Sequence, residues 1–253
     1  MIFVAAGTQD GRELAGYLLN QGYDVTASVI SQYGQSLLKA YQGIKINDKP
    51  LDESGLTDYL RKNGVKCFVD ASHPYAANIS SNAMAACKKC EIPYIRFERE
   101  VSQLKYDKAY YVADYKSAAK KAGELGENIF LTTGSRTLSI FSKADELVGC
   151  RLICRILPEA EVVKGARELG FTPDNIIAMQ GPFSRELNRE LFVKYNADVV
   201  VTKNSGSMGG TDTKFEAARD LELPLVIIDR PKMKYTNIAN SFQDILSFVR
   251  ENV

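Results

Sequence analysis

Lys66-Cys67-Phe68-Val69-Asp70-Ala71-Ser72-His73-Pro74-Tyr75-Ala76 passes from apolar to polar within one residue. A short apolar run halted by turn residues is the pattern of a strand buried on both faces of a parallel sheet. Pro74 disfavours helical geometry at His73 and suits the start of a helix just beyond it. Over residues 77–90, Ile79, Ala83, Cys87 and Cys90 share one helical face. Strand, polar turn and helix make the repeating unit of an open α/β sheet, which binds ligands outside the carboxyl ends of its strands. The turn gathers a carboxylate, a serine, a tyrosine and the one histidine of the chain. A hydrogen-bonded histidine at a helix start is the structural alternative, so the other turns must be weighed.

Outward from this stretch, apolar strands alternate with helical patterns. Strands are expected at 2–6, 24–30, 67–69, 94–97, 110–112, 129–132, 151–156, 176–179, 199–202 and 225–228. Helices are expected at 12–21, 57–63, 77–90, 117–125, 185–195 and 214–221, with a last one at 241–251. Alternation at this spacing implies parallel sheets with helices on both faces. So many strands in one sheet would be unusual. The charged, tyrosine-rich stretch 99–115 is the natural passage to a second sheet. The expected fold class is α/β, with two Rossmann-like lobes of mainly parallel sheet facing a central cleft. The lobes are expected at 1–99 and 100–253.

Composition narrows the function. At 253 residues, 45% hydrophobic and 25% charged, the chain suits a globular core with a solvated surface. A net charge of +1 exerts no global pull on nucleic acid or anionic membrane, so neither is an expected partner. No apolar run approaches the roughly 20 residues that span a bilayer. The opening Met1-Ile2-Phe3-Val4-Ala5-Ala6 reads as a first strand rather than a signal peptide. An odd count of five cysteines fits reduced thiols and a cytoplasmic setting. Cys87-Lys88-Lys89-Cys90 has redox spacing but falls late in a helix, whereas redox pairs sit at helix starts. With one histidine and no second close cysteine pair, no metal site is expected.

The first strand runs into Ala6-Gly7-Thr8-Gln9-Asp10-Gly11-Arg12 and then helix. Such a turn exposes backbone N–H groups to an anion, although Gly-x-x-x-Gly is not the dinucleotide fingerprint and also serves as a plain tight turn. The second strand ends Ser28-Val29-Ile30-Ser31-Gln32-Tyr33, with neither an acid for a ribose hydroxyl nor an arginine for a ribose phosphate. In the second lobe four strands run into polar turns: Thr132-Thr133-Gly134-Ser135-Arg136, Gln180-Gly181-Pro182-Phe183-Ser184, Thr202 through Lys214, and Asp229-Arg230-Pro231. Each alone is routine turn chemistry. Four on one rim make a ligand face.

At these residues the chain resembles the precorrin-6A and cobalt-precorrin-6A reductases of cobalamin biosynthesis. The likeness spans nearly the whole chain. It rests on Gly7-Thr8 with Arg12-Glu13-Leu14-Ala15, on Asp70 to Ala76 followed by Ile79-Ser80, and on Pro93-Tyr94-Ile95-Arg96-Phe97-Glu98-Arg99. It continues through Thr132-Thr133-Gly134-Ser135, Gln180-Gly181-Pro182-Phe183-Ser184, Thr202-Lys203-Asn204-Ser205-Gly206 with Gly209-Gly210 and Lys214, and Arg230-Pro231. Ala6, Asp10 and Gly11 depart from the family's usual first turn, Gly-Gly-Thr-x-Glu-Ala-Arg.

The resemblance implies hydride transfer from NADPH or NADH to one double bond of a ring-contracted tetrapyrrole, with handover to neighbouring pathway enzymes. Cofactor contacts are expected from Gly7, Thr8, Asp10, Gly11, Arg12, Ser28, Asp70 and Ser72. The acidic rim of the macrocycle is expected to meet Arg96, Arg99, Ser135, Arg136, Gln180, Ser184, Lys203, Ser205, Gly206, Lys214 and Arg230. Arginine grips carboxylate in bidentate fashion and lysine supplies a mobile charge. The proton that accompanies hydride is expected from His73 or Tyr75, with Asp70 orienting the imidazole. Two alternatives remain open: a nicotinamide oxidoreductase of another anionic substrate, and a non-catalytic two-lobe binder of a small molecule.

Overall fold

The protein was analysed as a computed structural model, which describes residues 1–98, 105–205 and 211–253. Arg99, Gly206, Gly209 and Gly210 lie outside the described residues. In chain order the elements are β1 (Ile2–Ala5), α1 (Gln9–Asn20), β2 (Val25–Ser28), α2 (Gln32–Leu38), β3 (Lys45–Asn47) and α3 (Glu53–Lys62). Next come β4 (Cys67–Asp70), α4 (Ala77–Cys90), β5 (Tyr94–Phe97), β6 (Ala109–Val112), α5 (Tyr115–Leu125), β7 (Asn128–Leu131) and α6 (Leu138–Ser142). The chain continues with β8 (Arg151–Ile156), α7 (Ala160–Glu168), β9 (Ile176–Ala178), α8 (Arg185–Lys194), β10 (Val199–Lys203), α9 (Thr211–Asp220) and β11 (Leu225–Ile228). It closes on β12 (Ile238–Ala239) and α10 (Phe242–Asn252).

Two six-stranded sheets result, in the orders β12-β5-β4-β1-β2-β3 and β6-β11-β10-β7-β8-β9, and every pairing is parallel. Each order reverses beside its central strand, between β1 and β4 in one sheet and between β7 and β10 in the other. That is the doubly wound arrangement, whose reversal opens a crevice at the carboxyl ends of the two strands. The sixth place is filled from elsewhere in the chain in both cases. β12 completes the first sheet from the C-terminus, and β6 enters the second sheet ahead of its central strand.

The chain divides into Met1–Glu100 with Lys232–Val253, and Val101–Pro231. The return of the last segment differs from the expected 100–253 lobe. Its cause is the edge of β5, where Ile238 pairs with Arg96 and Ala239 with Phe97. Beyond that contact, Ile245, Leu246 and Val249 of α10 are buried with Ile2, Val4 and Phe97 of the first sheet. Burying three such side chains is worth about 1.5–3 kcal/mol each, enough to recruit a distant segment.

Alternation within β1 shows how the first sheet is covered. Ile2 and Val4 join the α1 and α10 side, while Phe3 and Ala5 join the α3 and α4 side, where Phe3 stacks on Phe68 at 5.1 Å. In the second unit Phe130, Ile153, Val200 and Ile227 make the corresponding layer with Phe192 of α8. Gly11 lets α1 lie against this frame. A Cβ there would stand 2.8 Å from Ala6 Cα and 2.9 Å from Ala71 O.

Candidate functional site

In the first unit the crevice lies where β1 and β4 end side by side, with Ala5 opposite Asp70. Thr8 caps α1, its hydroxyl accepting from Gly11 N at 2.9 Å and donating to Ala71 O at 3.0 Å. One side chain thus ties the two crevice turns together. Gly7 is exposed, and a Cβ built on it would meet nothing within 4 Å. Backbone can therefore approach a ligand there, beside the positive end of a 12-residue helix. Asp10 stands in the first turn of that helix, where its carboxylate competes with an incoming anion. Arg12 is half-buried one step further on. Ser28 closes β2, and its hydroxyl accepts from Asn47 Nδ2 at 3.0 Å.

Asp70 departs from its expected role. It is wholly buried and accepts from Ser80 Oγ at 2.5 Å, Tyr94 Oη at 2.7 Å, Arg96 Nη1 at 2.8 Å and Ser72 N at 3.0 Å. Burial works to raise its pKa, but the Arg96 charge and these donors prevail and hold it below the usual carboxylate range. Four donors occupy the carboxylate, so it does not orient His73. Arg96 is likewise 1% exposed and gives Nη1 to both Asp70 and Ser72 Oγ. Its guanidinium is thus turned to protein partners and not to the surface. His73 itself is exposed, with Nδ1 accepting from Tyr75 N at 3.3 Å and its ring 5.7 Å from that of Tyr75. That hydrogen bond leaves Nε2 to carry the proton of the neutral ring.

The second unit concentrates positive charge at the ends of β7, β8 and β10. Lys203 ends β10, its ammonium 5.7 Å from the Tyr115 ring, and burial with the nearby Arg136 pushes its pKa down to about 8. Lys214 of α9 is buried among cations, and desolvation with Arg155 and Lys203 pushes it down to about 7. Arg155 of β8 lies 3.8 Å from the Phe183 ring centre and donates to Asn188 Oδ1 at 2.7 Å, and burial pushes it down to about 10. Each of these groups resists its own charge, and a ligand bearing several carboxylates relieves all of them.

The remaining expected contacts fall around this cluster. Ser135 is half-buried and Arg136 exposed, both on the short turn after β7. Gln180 is exposed, and Ser184 caps α8 by accepting from Leu187 N at 3.1 Å. Ser205 N donates to Lys203 O at 2.9 Å, and Arg230 Nε donates to Asn204 O at 2.9 Å. Arg155 and Asn188 were not among the expected residues. Their signal was present as an arginine inside the otherwise apolar run Leu152-Ile153-Cys154-Arg155-Ile156. All five cysteines are unbridged, and burial pushes Cys67, Cys87 and Cys154 up to about 12, far from reactive thiolates.

Comparison with known proteins follows the same lines. A model of the family described as "Precorrin-6x reductase CbiJ/CobK" matches residues 1–250. A cobalt-precorrin-6A reductase of Priestia megaterium is 40% identical over 97% of this chain and 96% of the relative. The cobalt-precorrin-6A reductase of Salmonella typhimurium is 33% identical over 91% of this chain and 87% of its own. A solved structure of CobK precorrin-6A reductase superposes with a TM-score of 0.81 at 26% identity, covering 99% of this chain and 96% of that one. On a family match over nearly its whole length and a shared fold, the chain is a member of the precorrin-6x reductase family.

Proposed function

We propose that the chain reduces one double bond of precorrin-6A or cobalt-precorrin-6A with hydride from NADH or NADPH. The observation that carries this reading is the cation cluster of the second unit, with Arg155 and Lys214 buried, Lys203 half-buried and Arg136 exposed close to Lys203. A ring-contracted tetrapyrrole is edged with acetates and propionates, and two lysines pushed down by burial and by neighbouring cations suit such a rim. The first unit takes the dinucleotide. The open backbone at Gly7 and the start of α1 fit a pyrophosphate through N–H donors. When bound, the reduced nicotinamide supplies hydride. The chain's own residues align the partners and exclude water, and the accompanying proton comes from His73 in its imidazolium form, which returns to neutral imidazole. Five unbridged cysteines fit a reducing, cytoplasmic setting.

The test is a reduction assay on purified protein with metal-free and cobalt-loaded macrocycle, each with NADH and with NADPH. Oxidation of dinucleotide that depends on a tetrapyrrole is the expected result. Cofactor binding without turnover on either macrocycle would point to an oxidoreductase of another anion, and no cofactor binding at all would leave a small-molecule binder.

A further inference from the structure

We infer that the buried pair Asp70–Arg96, closed over by Tyr235 of the returning C-terminal segment, sets the geometry of the turn over residues 71–76. Arg96 and Tyr235 are thus positioning residues, and in their link to turnover they rest on the reductase reading above. Three groups hold the turn from beneath. Asp70 Oδ1 accepts from Ser72 N at 3.0 Å, Arg96 Nη1 donates to Ser72 Oγ at 3.0 Å, and Thr8 Oγ1 donates to Ala71 O at 3.0 Å. Beyond them the backbone turns at once, with Ala76 N donating to His73 O at 2.8 Å.

The circuit closes through the far end of the chain. Tyr235 lies with its ring centre 5.4 Å from the Arg96 guanidinium, and Ser80 donates to Asp70. Asn237 O accepts from Arg96 N at 2.9 Å, and Asn237 Nδ2 donates to Tyr94 O at 2.9 Å. Stability alone is a poor reason for such an arrangement. A buried ion pair recovers little more than its desolvation cost, and apolar replacements of like volume are often neutral or stabilising. What the pair provides is direction. A guanidinium fixed between Asp70 and Ser72 admits one placement of the strand end that leads to His73.

Hydrogen exchange tests this without any ligand. Arg96→Met alone would strand a buried carboxylate and unfold the unit, so Tyr235→Leu and the double variant Asp70→Asn/Arg96→Met are compared with the parent. Losing a charge-assisted hydrogen bond corresponds to about a tenfold change in local opening. The amides of residues 71–76 should therefore exchange about tenfold faster in the double variant and faster by a smaller factor in Tyr235→Leu, with those of Ile2–Ala5 unchanged. Turnover should fall with KM for the tetrapyrrole altered less than about twofold, since its cations lie in the other unit. Faster exchange spread evenly over β1, β4 and the turn, or no change at the turn, would reduce the network to plain structural support. Should the parent bind no dinucleotide, the reductase reading fails alone, and the exchange pattern still decides the positioning role.

Discussion

Gly7 and Gly11 stand four residues apart in one turn, yet space around them assigns opposite duties. A side chain at Gly11 collides with backbone of Ala6 and Ala71, which cannot withdraw without lifting α1 off the sheet. Gly11→Ala should therefore destabilise the fold by about 1–3 kcal/mol, read as a lower midpoint in denaturant unfolding. Gly7 has open space, so Gly7→Val should unfold like the parent while dinucleotide affinity drops at least tenfold, as the branched side chain fills the path of the phosphate. Equal affinity in that variant would move the nucleotide off this turn. His73 is judged on chemistry instead. A positioned acid contributes roughly 100- to 10,000-fold, so His73→Gln should slow single-turnover hydride transfer by at least tenfold and alter its pH profile. A smaller drop with an unshifted profile would leave His73 as a contact and hand the proton to solvent.

Among the elements, the end of β2 governs dinucleotide choice in a doubly wound sheet. Here the chain from Val29 to Gln35 carries no charge, and Ser31 is occupied in capping α2 by accepting from Gly34 N at 3.1 Å. Neither a ribose hydroxyl nor a ribose phosphate finds a charged partner, so kcat/KM for NADH and NADPH should differ by less than about tenfold. A larger ratio would require a cation or acid from outside this element. The central strands were legible in sequence because continuous apolar runs such as Cys67-Phe68-Val69 leave little else to be. β3, with Ile46 its one large apolar residue, and the two-residue β12 carry no such signal. α2 is seven residues long and α6 five, too short for a periodic face, and α7 has little apolar content beyond Val162, Val163 and Ala166. The Asp70–Arg96 pair shows the limit from the other side. Both residues stood in recognisable motifs at strand ends, but a motif does not say whether two charges face a ligand or each other.

At the scale of the whole molecule, the cations of the second unit couple ligand binding to stability. The unfolded pKa of lysine is about 10.4, whereas Lys214 is pushed down to about 7 in the fold and Lys203 to about 8. Between those folded values and the unfolded one, the unfolded chain binds protons that the folded chain has shed, so stability rises with pH across that window. Below it the folded protein bears the full cost of buried charge. The thermal midpoint of the free protein should accordingly climb from pH 7 to pH 9, and Lys214→Met should flatten the climb. At pH 7 that variant should be more stable than the parent by about 1–3 kcal/mol, because an apolar side chain replaces a desolvated ammonium. The same change removes a partner for carboxylate, so KM for the tetrapyrrole should rise by at least tenfold while dinucleotide affinity holds. Lys203→Met should act in the same direction over a narrower pH range. A pH-independent midpoint together with an unchanged KM would place both ammonium groups outside the substrate's reach and remove the basis for reading this cluster as a carboxylate site.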